Sequence, residues 1–256
     1  MGTIAITGSA GGIGRATRAR LASEGHEVIG VDVRDAEVEA DLSTPAGREA
    51  MVRDVTEASG GRLDGLVVAA GIQTADGPSV VSVNYFGSIA TLTGLRPLLE
   101  RGTNPSVVAI SSNSTTTHPG YPRDVADLCL ADDEEAARAA ATDGITAYAA
   151  SKLALALWCR RAATTADWVG AGVRLNVIAP GFIDTPMTDG GWEFVSDLGD
   201  VYPMPTGRPG TADEVAGLIR YLLCDEAGFF CGSYITMDGG TDARLRADDW
   251  PRPIEL

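Results

Sequence analysis

Thr3-Ile-Ala-Ile-Thr7-Gly-Ser-Ala-Gly-Gly-Ile-Gly14 is the stretch on which the fold turns. Its first five residues are a short, unbroken apolar and β-branched run, the pattern of a strand covered on both faces. Gly8 to Gly14 then turn into a segment whose apolar and arginine residues run on to about Ser23, so a strand hands over directly to a helix. Glycines at such a junction let the backbone turn tightly and approach a pyrophosphate. The helix N-terminus adds free N–H groups and the positive end of a dipole. A glycine cluster alone marks only a turn. Placed between a first strand and a first helix, it reads as a phosphate cradle, with Gly8, Ser9, Gly12, Ile13 and Gly14 against the ligand.

Outward from this loop, Val28 to Val33 reads as a second strand, and a brief strand ends near Asp41. Thr44-Pro45 opens a helix, with Thr as N-cap and Pro at the first helical position. Leu63 to Ala70 is a strand, Ser79 to Arg101 mostly helix, and Ser106 to Ile110 a strand. Residues 113–145 are irregular, with one acidic, alanine-rich helical piece around Asp132 to Ala141. A helix from about Thr146 to Thr165 and the strand Val173 to Ala179 follow. Thr211 and Glu214 have capping-box spacing ahead of another helix, and Ser233 to Met237 is the last strand. This alternation predicts an α/β chain: one Rossmann-type domain over residues 1–256, a doubly wound parallel sheet with helices on both faces. Within it, 113–145 is an insertion, 182–206 a substrate loop and 242–256 a C-terminal tail. Such sheets bind ligands at the carboxyl ends of their strands, so chemistry is expected just after Thr7, Val31, Ala69, Ile110 and Ala179.

Each of those places carries something. Asp32 closes the second strand, where a carboxylate accepts both hydroxyls of an adenosine ribose and repels a 2′-phosphate, favouring NAD over NADP. Arg34 lies close by and weakens that preference. Ser111 or Ser112, after the strand ending at Ile110, offers a hydroxyl to a substrate oxygen, though either also serves as a turn residue. Asn84 falls inside a predicted helix, where asparagine is unfavourable, so a buried polar role suits it. Tyr148 and Lys152 lie four apart on a predicted helix and so share a face. A phenol with a pKa of about 10 needs help to move protons near neutrality, and a neighbouring ammonium favours the phenolate. The chain has nineteen arginines and a single lysine, Lys152. That this lysine follows one of the tyrosines by four residues is a coincidence of roughly 2%, which argues against surface packing.

Composition narrows the class. The 256 residues suffice for one well-buried domain. A formal net charge of −15 argues against nucleic acid or an anionic membrane surface as partner. No stretch approaches the roughly 20 apolar residues of a membrane span, and the first strand starts too early for a signal peptide. Cys129, Cys159, Cys224 and Cys231 show neither pairing nor metal-ligand spacing, as expected of reduced cysteines in a cytoplasmic protein. The predicted helix 146–165 is apolar nearly all round, which suits burial against both its own sheet and a second copy in a homo-oligomer. The insertion just before it is also placed to cover that surface. Residues 182–206 hold Phe182, Met187 and Trp192 among other apolar side chains, enough to line a substrate pocket, or equally to pack a core or an interface.

Taken together, these residues resemble the short-chain dehydrogenase/reductase family over essentially the whole chain. The matching features are TGxxxGxG at Thr7 to Gly14, Asp32, Asn84, Ser112, YxxxK at Tyr148 and Lys152, and Pro180-Gly181 followed by Ile183 and Thr185. Within it the chain is most similar to the 3α-hydroxysteroid dehydrogenase/carbonyl reductase group, at residues 32–43, 81–87 and 172–176 and in the long segment between Ser112 and Tyr148. The resemblance implies that Tyr148 moves the proton of the substrate hydroxyl and that Ser112 holds the substrate oxygen. It implies that Lys152 binds the nicotinamide ribose and lowers the Tyr148 pKa, and that Asn84 positions a relay water. Asp41 and Leu42 would flank the adenine of NAD, Ala70 and Gly71 would line the cofactor, and Ile183 and Thr185 would hold its carboxamide. The implied substrate is an apolar ketone or alcohol. Two departures stand out: Val68-Ala-Ala-Gly71 lacks the family's asparagine, and the segment between Asp32 and Asp41 is too short for a crossover helix. A nucleotide-sensing regulator without turnover and a reductase of small non-steroid ketones are the alternatives, and the presence of Ser112, Tyr148 and Lys152 together speaks against the first.

Overall fold

The computed structural model describes residues 1–120 and 123–250. Residues 121–122 of the expected insertion and 251–256 of the expected tail lie outside the described residues. Strand β1 (Thr3–Thr7) sits inside a parallel seven-stranded sheet. It is flanked by β2 (Glu27–Asp32) and β4 (Gly65–Val68), with β3 (Val38–Glu39) beyond β2. On the other side follow β5 (Ser106–Ile110), β6 (Arg174–Pro180) and β9 (Tyr234–Met237), the numbers β7 and β8 being kept for Ile183–Asp184 and Gly210–Thr211 of a separate two-stranded sheet. The order of strands therefore reverses between β1 and β4, and the loops leaving them part to open a crevice. The register sets Thr7 beside Val31 and Val68, Val68 beside Ala109, and Pro180 beside Met237. The strand ends singled out in the sequence thus form one row.

Alternate residues of each strand feed opposite faces, which gives two cores. Ile4, Ile6, Val67 and Val108 pack under Leu21 of α1 (Gly12–Ser23) and Val215 and Ile219 of α10 (Ala212–Leu223). Ala5, Leu66, Val68 and Val107 pack under α2 (Pro45–Ala58), α4 (Ser88–Leu99) and α8 (Gly144–Ala163). The expected caps are present: Thr44 accepts from Gly47 N at 3.1 Å, and Thr211 and Glu214 form a reciprocal capping box.

As the short segment between Asp32 and Asp41 implied, the 33–37 connection turns without a helix, through Asp35 at φ 56°, and Glu37 accepts from Gly30 N at 2.8 Å to close it. The structure departs from the sequence expectation in two places. Val33 is exposed and lies outside β2. The insertion holds three helices where one was expected: α5 (Ser114–Thr117), α6 (Arg123–Leu130) and α7 (Glu134–Ala140). Val125, Ala126 and Cys129 of α6 are buried against α8. The all-round apolar character of α8 is therefore accounted for within the chain, and the face expected to meet a second copy is covered. Among the described residues no helix is long and apolar enough to cross a membrane.

Candidate active site

A cleft of about 890 Å³ runs across the carboxyl ends of the strands from β2 to β6. At the glycine loop, a Cβ on Gly14 would stand 2.1 Å from the Gly8 carbonyl oxygen, so glycine alone lets α1 begin flush against β1. Gly8 itself takes φ 70° and lies where a Cβ would stand 2.8 Å from Ala70 N. Gly11 is the N-cap, makes no side-chain cap, and has nothing within 4 Å of its missing Cβ. The N-terminus of α1 is thus left to the cleft, bordered by Gly12 and Ile13. The Ser9 side chain is buried and faces Gly30, where a Cβ would meet its Oγ at 2.6 Å. Only its backbone belongs to the loop.

Asp32 reaches this loop. Its Oδ2 accepts from Ala10 N at 3.0 Å and its Oδ1 from Val33 N at 2.8 Å, which leaves lone pairs on both oxygens. Arg34 lines the same end of the cleft, as do Asp41 and Leu42. Opposite them, Ala70 and Gly71 leave β4 in a loop held from β1. Thr7 Oγ1 accepts from both Ala69 N and Ala70 N at 3.2 Å, so a hydroxyl on the neighbouring strand supports this loop in a chain without the asparagine. Pro180, Gly181 and Ile183 wall the far side, and the Thr185 methyl would lie 3.1 Å from a Cβ on Gly12.

Ser112, Tyr148 and Lys152 meet at the β5 end. Lys152 is buried, its Nζ donating to Ile110 O at 2.9 Å and lying 5.9 Å from the centre of the Tyr148 ring. The two serines separate in role. Ser111 Oγ donates to Lys152 O at 2.9 Å, whereas Ser112 stands at the cleft beside the Tyr148 phenol. Burial pushes the Tyr148 phenol up, with the Ser112 hydroxyl drawing it part of the way back. Burial also brings Lys152 down to about 8. In this structure the phenol's shift is set by its own burial and by Ser112. A phenol so raised is a proton donor at neutral pH.

Asn84 is fully buried and lies behind the cleft, not on its lining. It sits in a π-helical turn, Ser82–Gly87, between α3 (Gly77–Val81) and α4. Its side chain accepts from Ile72 N at 2.8 Å and donates to Ile72 O at 3.0 Å, which braces the β4 exit. A Cβ on Gly71 would lie 3.2 Å from Lys152 Nζ and 3.3 Å from Asn84 Oδ1, so glycine lets both side chains sit close to this loop. On the substrate side Phe182 and Met187 line the cleft, while Trp192 packs against Phe182 at 6.0 Å between ring centres and does not reach it.

Sequence reasoning missed Asn113 and Asp238. Asn113 exchanges hydrogen bonds with the Tyr202 hydroxyl at 2.9 and 3.1 Å and donates to Asp238 Oδ2 at 3.2 Å. Asp238 in turn accepts from Gly240 N at 3.0 Å and Asp242 N at 2.7 Å. Asn113 was findable from its place beside Ser112; Asp238 carries no local signal.

Comparison with known proteins agrees with this geometry. A family model described as short chain dehydrogenase matches residues 2–122, and one described as Enoyl-(Acyl carrier protein) reductase matches residues 134–242. The chain is 40% identical to the 3-alpha-hydroxysteroid dehydrogenase/carbonyl reductase of Comamonas testosteroni, over 96% of its own length and 98% of the relative's. The chain belongs to the short-chain dehydrogenase/reductase family. It is accordingly an oxidoreductase. Coniferyl-alcohol dehydrogenase of a Pseudomonas strain is 33% identical over 93% of this chain and 95% of its own. Among solved structures, a 3-alpha-hydroxysteroid dehydrogenase from Pseudomonas sp. B-0831 complexed with NADH superimposes with a TM-score of 0.88 at 43% identity, covering 96% and 99% of the two chains. The two family matches leave out residues 123–133, which hold α6.

Proposed function

We propose that this short-chain dehydrogenase interconverts a bulky, apolar secondary alcohol and its ketone, steroid-like in size, with NAD(H) as cofactor. The observation that carries the reading is one continuous cleft with Asp32 and the uncapped α1 N-terminus at one end and Ser112, Tyr148 and Lys152 at the other. The residues fit a dinucleotide: Gly8, Gly12, Ile13 and Gly14 for the pyrophosphate, Asp32 for the adenosine ribose, and Asp41 and Leu42 beside the adenine. Ala70, Gly71, Pro180, Gly181, Ile183 and Thr185 then border the nicotinamide half. Bound NAD(H) supplies the hydride chemistry that side chains lack. Ser112 holds the substrate oxygen, Tyr148 gives or takes its proton, and Lys152 donates to the ribose while holding the phenol in place. Asn84 braces Ile72 in the loop that leaves β4 and would position a relay water from there. Phe182, Met187 and Tyr202 shape the substrate end, with Trp192 supporting Phe182.

Two measurements test the specificity. NADH is expected to be strongly preferred over NADPH, and Asp32→Ala to narrow that preference by removing both the repulsion and the ribose contacts. Equal use of the two cofactors by the unaltered enzyme would make Arg34 the deciding residue. A 3-ketosteroid is expected to show a higher kcat/KM than a ketone of three or four carbons, since each Å² removed from water stabilises the complex by roughly 25 cal/mol. Equal values would mean that the loop aromatics serve only packing.

The reading includes a homo-oligomer in the cytoplasm. With α8 covered by α6, the surface we assign to a second copy is the edge strand β9, with the fully exposed Phe229 nearby in sequence. Light scattering at micromolar concentration is expected to give at least a dimer, and a monomer would exclude this part of the proposal.

A further inference from the structure

The insertion is tied to the wall of the cleft at its β2 end through a buried arginine of α2. Arg48 of α2 is buried, and its guanidinium is used on every side. Nε donates to Leu42 O at 2.8 Å, and Nη2 donates to Ser43 O at 3.3 Å and Ser82 O at 3.1 Å. Glu134, the first residue of α7, takes Nη1 at 2.6 Å and Nη2 at 2.7 Å as a fork. The Phe86 ring lies 5.9 Å from the guanidinium carbon. One turn along α7, Arg138 donates to the Ser82 hydroxyl. Burial alone would raise the Glu134 carboxyl, but Arg48, Ser82 and Arg138 together hold it below its ordinary value.

These contacts have a direction. Leu42 and Ser43 wall the β2 end of the cleft, and Ser82 opens the π-helical turn that carries Asn84. A guanidinium presents its donors in one rigid plane, so fixing two of them on Glu134 fixes where the others point. Without the carboxylate the buried cation has no ionic partner among the described residues, and turning it toward water would release the 42–43 carbonyls.

We propose that Glu134 and Arg48 form a positioning pair for the adenosine half of the cofactor, by which the insertion shapes a binding end far from it in sequence. The proposal rests on the reading that this cleft binds NAD(H), and its test separates the two. Titration of AMP alone into the purified chain, followed by calorimetry, reports the adenosine end. Glu134→Gln is expected to weaken AMP about tenfold and to raise KM for NADH by about the same factor, the effect of one charge-assisted hydrogen bond, with kcat held within about twofold. Ketone reduction driven by reduced nicotinamide mononucleotide, which has no adenosine, is expected to be unchanged. Glu134→Asp keeps the charge and is expected to recover most of the AMP affinity, whereas Glu134→Ala removes it and reads the same comparison should the glutamine variant fail to fold. Unchanged AMP affinity in the glutamine or alanine variant, or equal losses with NADH and the mononucleotide, would overturn the positioning role alone. A wild-type chain that binds neither AMP nor NADH would overturn the cofactor reading and this proposal with it.

Discussion

Tyr148→Phe is expected to lower kcat by about 10² or more while leaving NADH affinity nearly unchanged. The substitution keeps the ring, its place on α8 and its position beside Lys152, and removes only the hydroxyl that stands next to Ser112. The pH dependence carries the sign of the shift. Because burial raises the phenol, it is protonated through neutrality, so ketone reduction is expected to be flat there and to fall only as the solution becomes alkaline. Alcohol oxidation needs the phenolate and is expected to rise with pH over that same alkaline range. Single-turnover rates in both directions across the pH range would show these opposite limbs in the wild type and their loss in the variant. A phenylalanine enzyme retaining a tenth of kcat would remove Tyr148 from proton transfer.

Arg174→Met is expected to destabilise the fold by about 3 kcal/mol, lowering Tm by roughly 6–12 °C for a chain of this size. Arg174 opens β6 and is buried without a carboxylate partner among the described residues. It donates instead to the carbonyls of Leu222 at 3.2 Å, Ala227 at 2.9 Å and Cys224 at 3.2 Å, at the end of α10. The Leu222 and Cys224 carbonyls lie at the negative end of the α10 dipole and Ala227 closes the turn that follows, so the cation caps the helix and ties down that turn. Burial lowers its pKa, with Cys224 and Asp225 acting in the opposite sense. Methionine fills much of the volume and supplies no donor. Lysine keeps the charge but cannot span three carbonyls, so Arg174→Lys is expected to fall between the two. Since this residue lies at the amino end of β6, kcat at 25 °C should not change. Thermal unfolding of the three proteins decides the matter, and a Tm within a degree of wild type for the methionine variant would refute the cap.

What could be read in the sequence was what chemistry forces into short spans. The glycine loop, Asp32 at a strand end and Tyr148 with Lys152 each lie within a turn or two of chain, and register then brings the strand ends together. The Thr211 capping box was equally local. Arg48 and Glu134, Asn113 and Asp238, and Arg174 with the α10 carbonyls pair across long stretches of chain, and no local pattern announces them. Ser9 lies inside the motif whose glycines line the cleft, while its own side chain points the other way, toward Gly30. The insertion's α6 was lost for a different reason. Its Val125, Ala126 and Cys129 are too few for a periodic signal, and their meaning appears only when α8 is seen to need a cover.

Asp238 also bears on how this enzyme comes into being. The glycine loop, Asp32 and the β4 exit belong to strands made early, and a parallel pairing such as β6 with β9 forms slowly because its partners are distant in sequence. Asp238 directly follows β9, the last strand of the sheet to be synthesised. Until it arrives, Asn113 and Tyr202 have each other but no carboxylate to hold Asn113 from the far side. On the ribosome, the glycine loop, Asp32 and the β4 exit therefore precede the strand that completes this anchor, and a nascent chain stalled before β9 would carry the cleft's first walls without it.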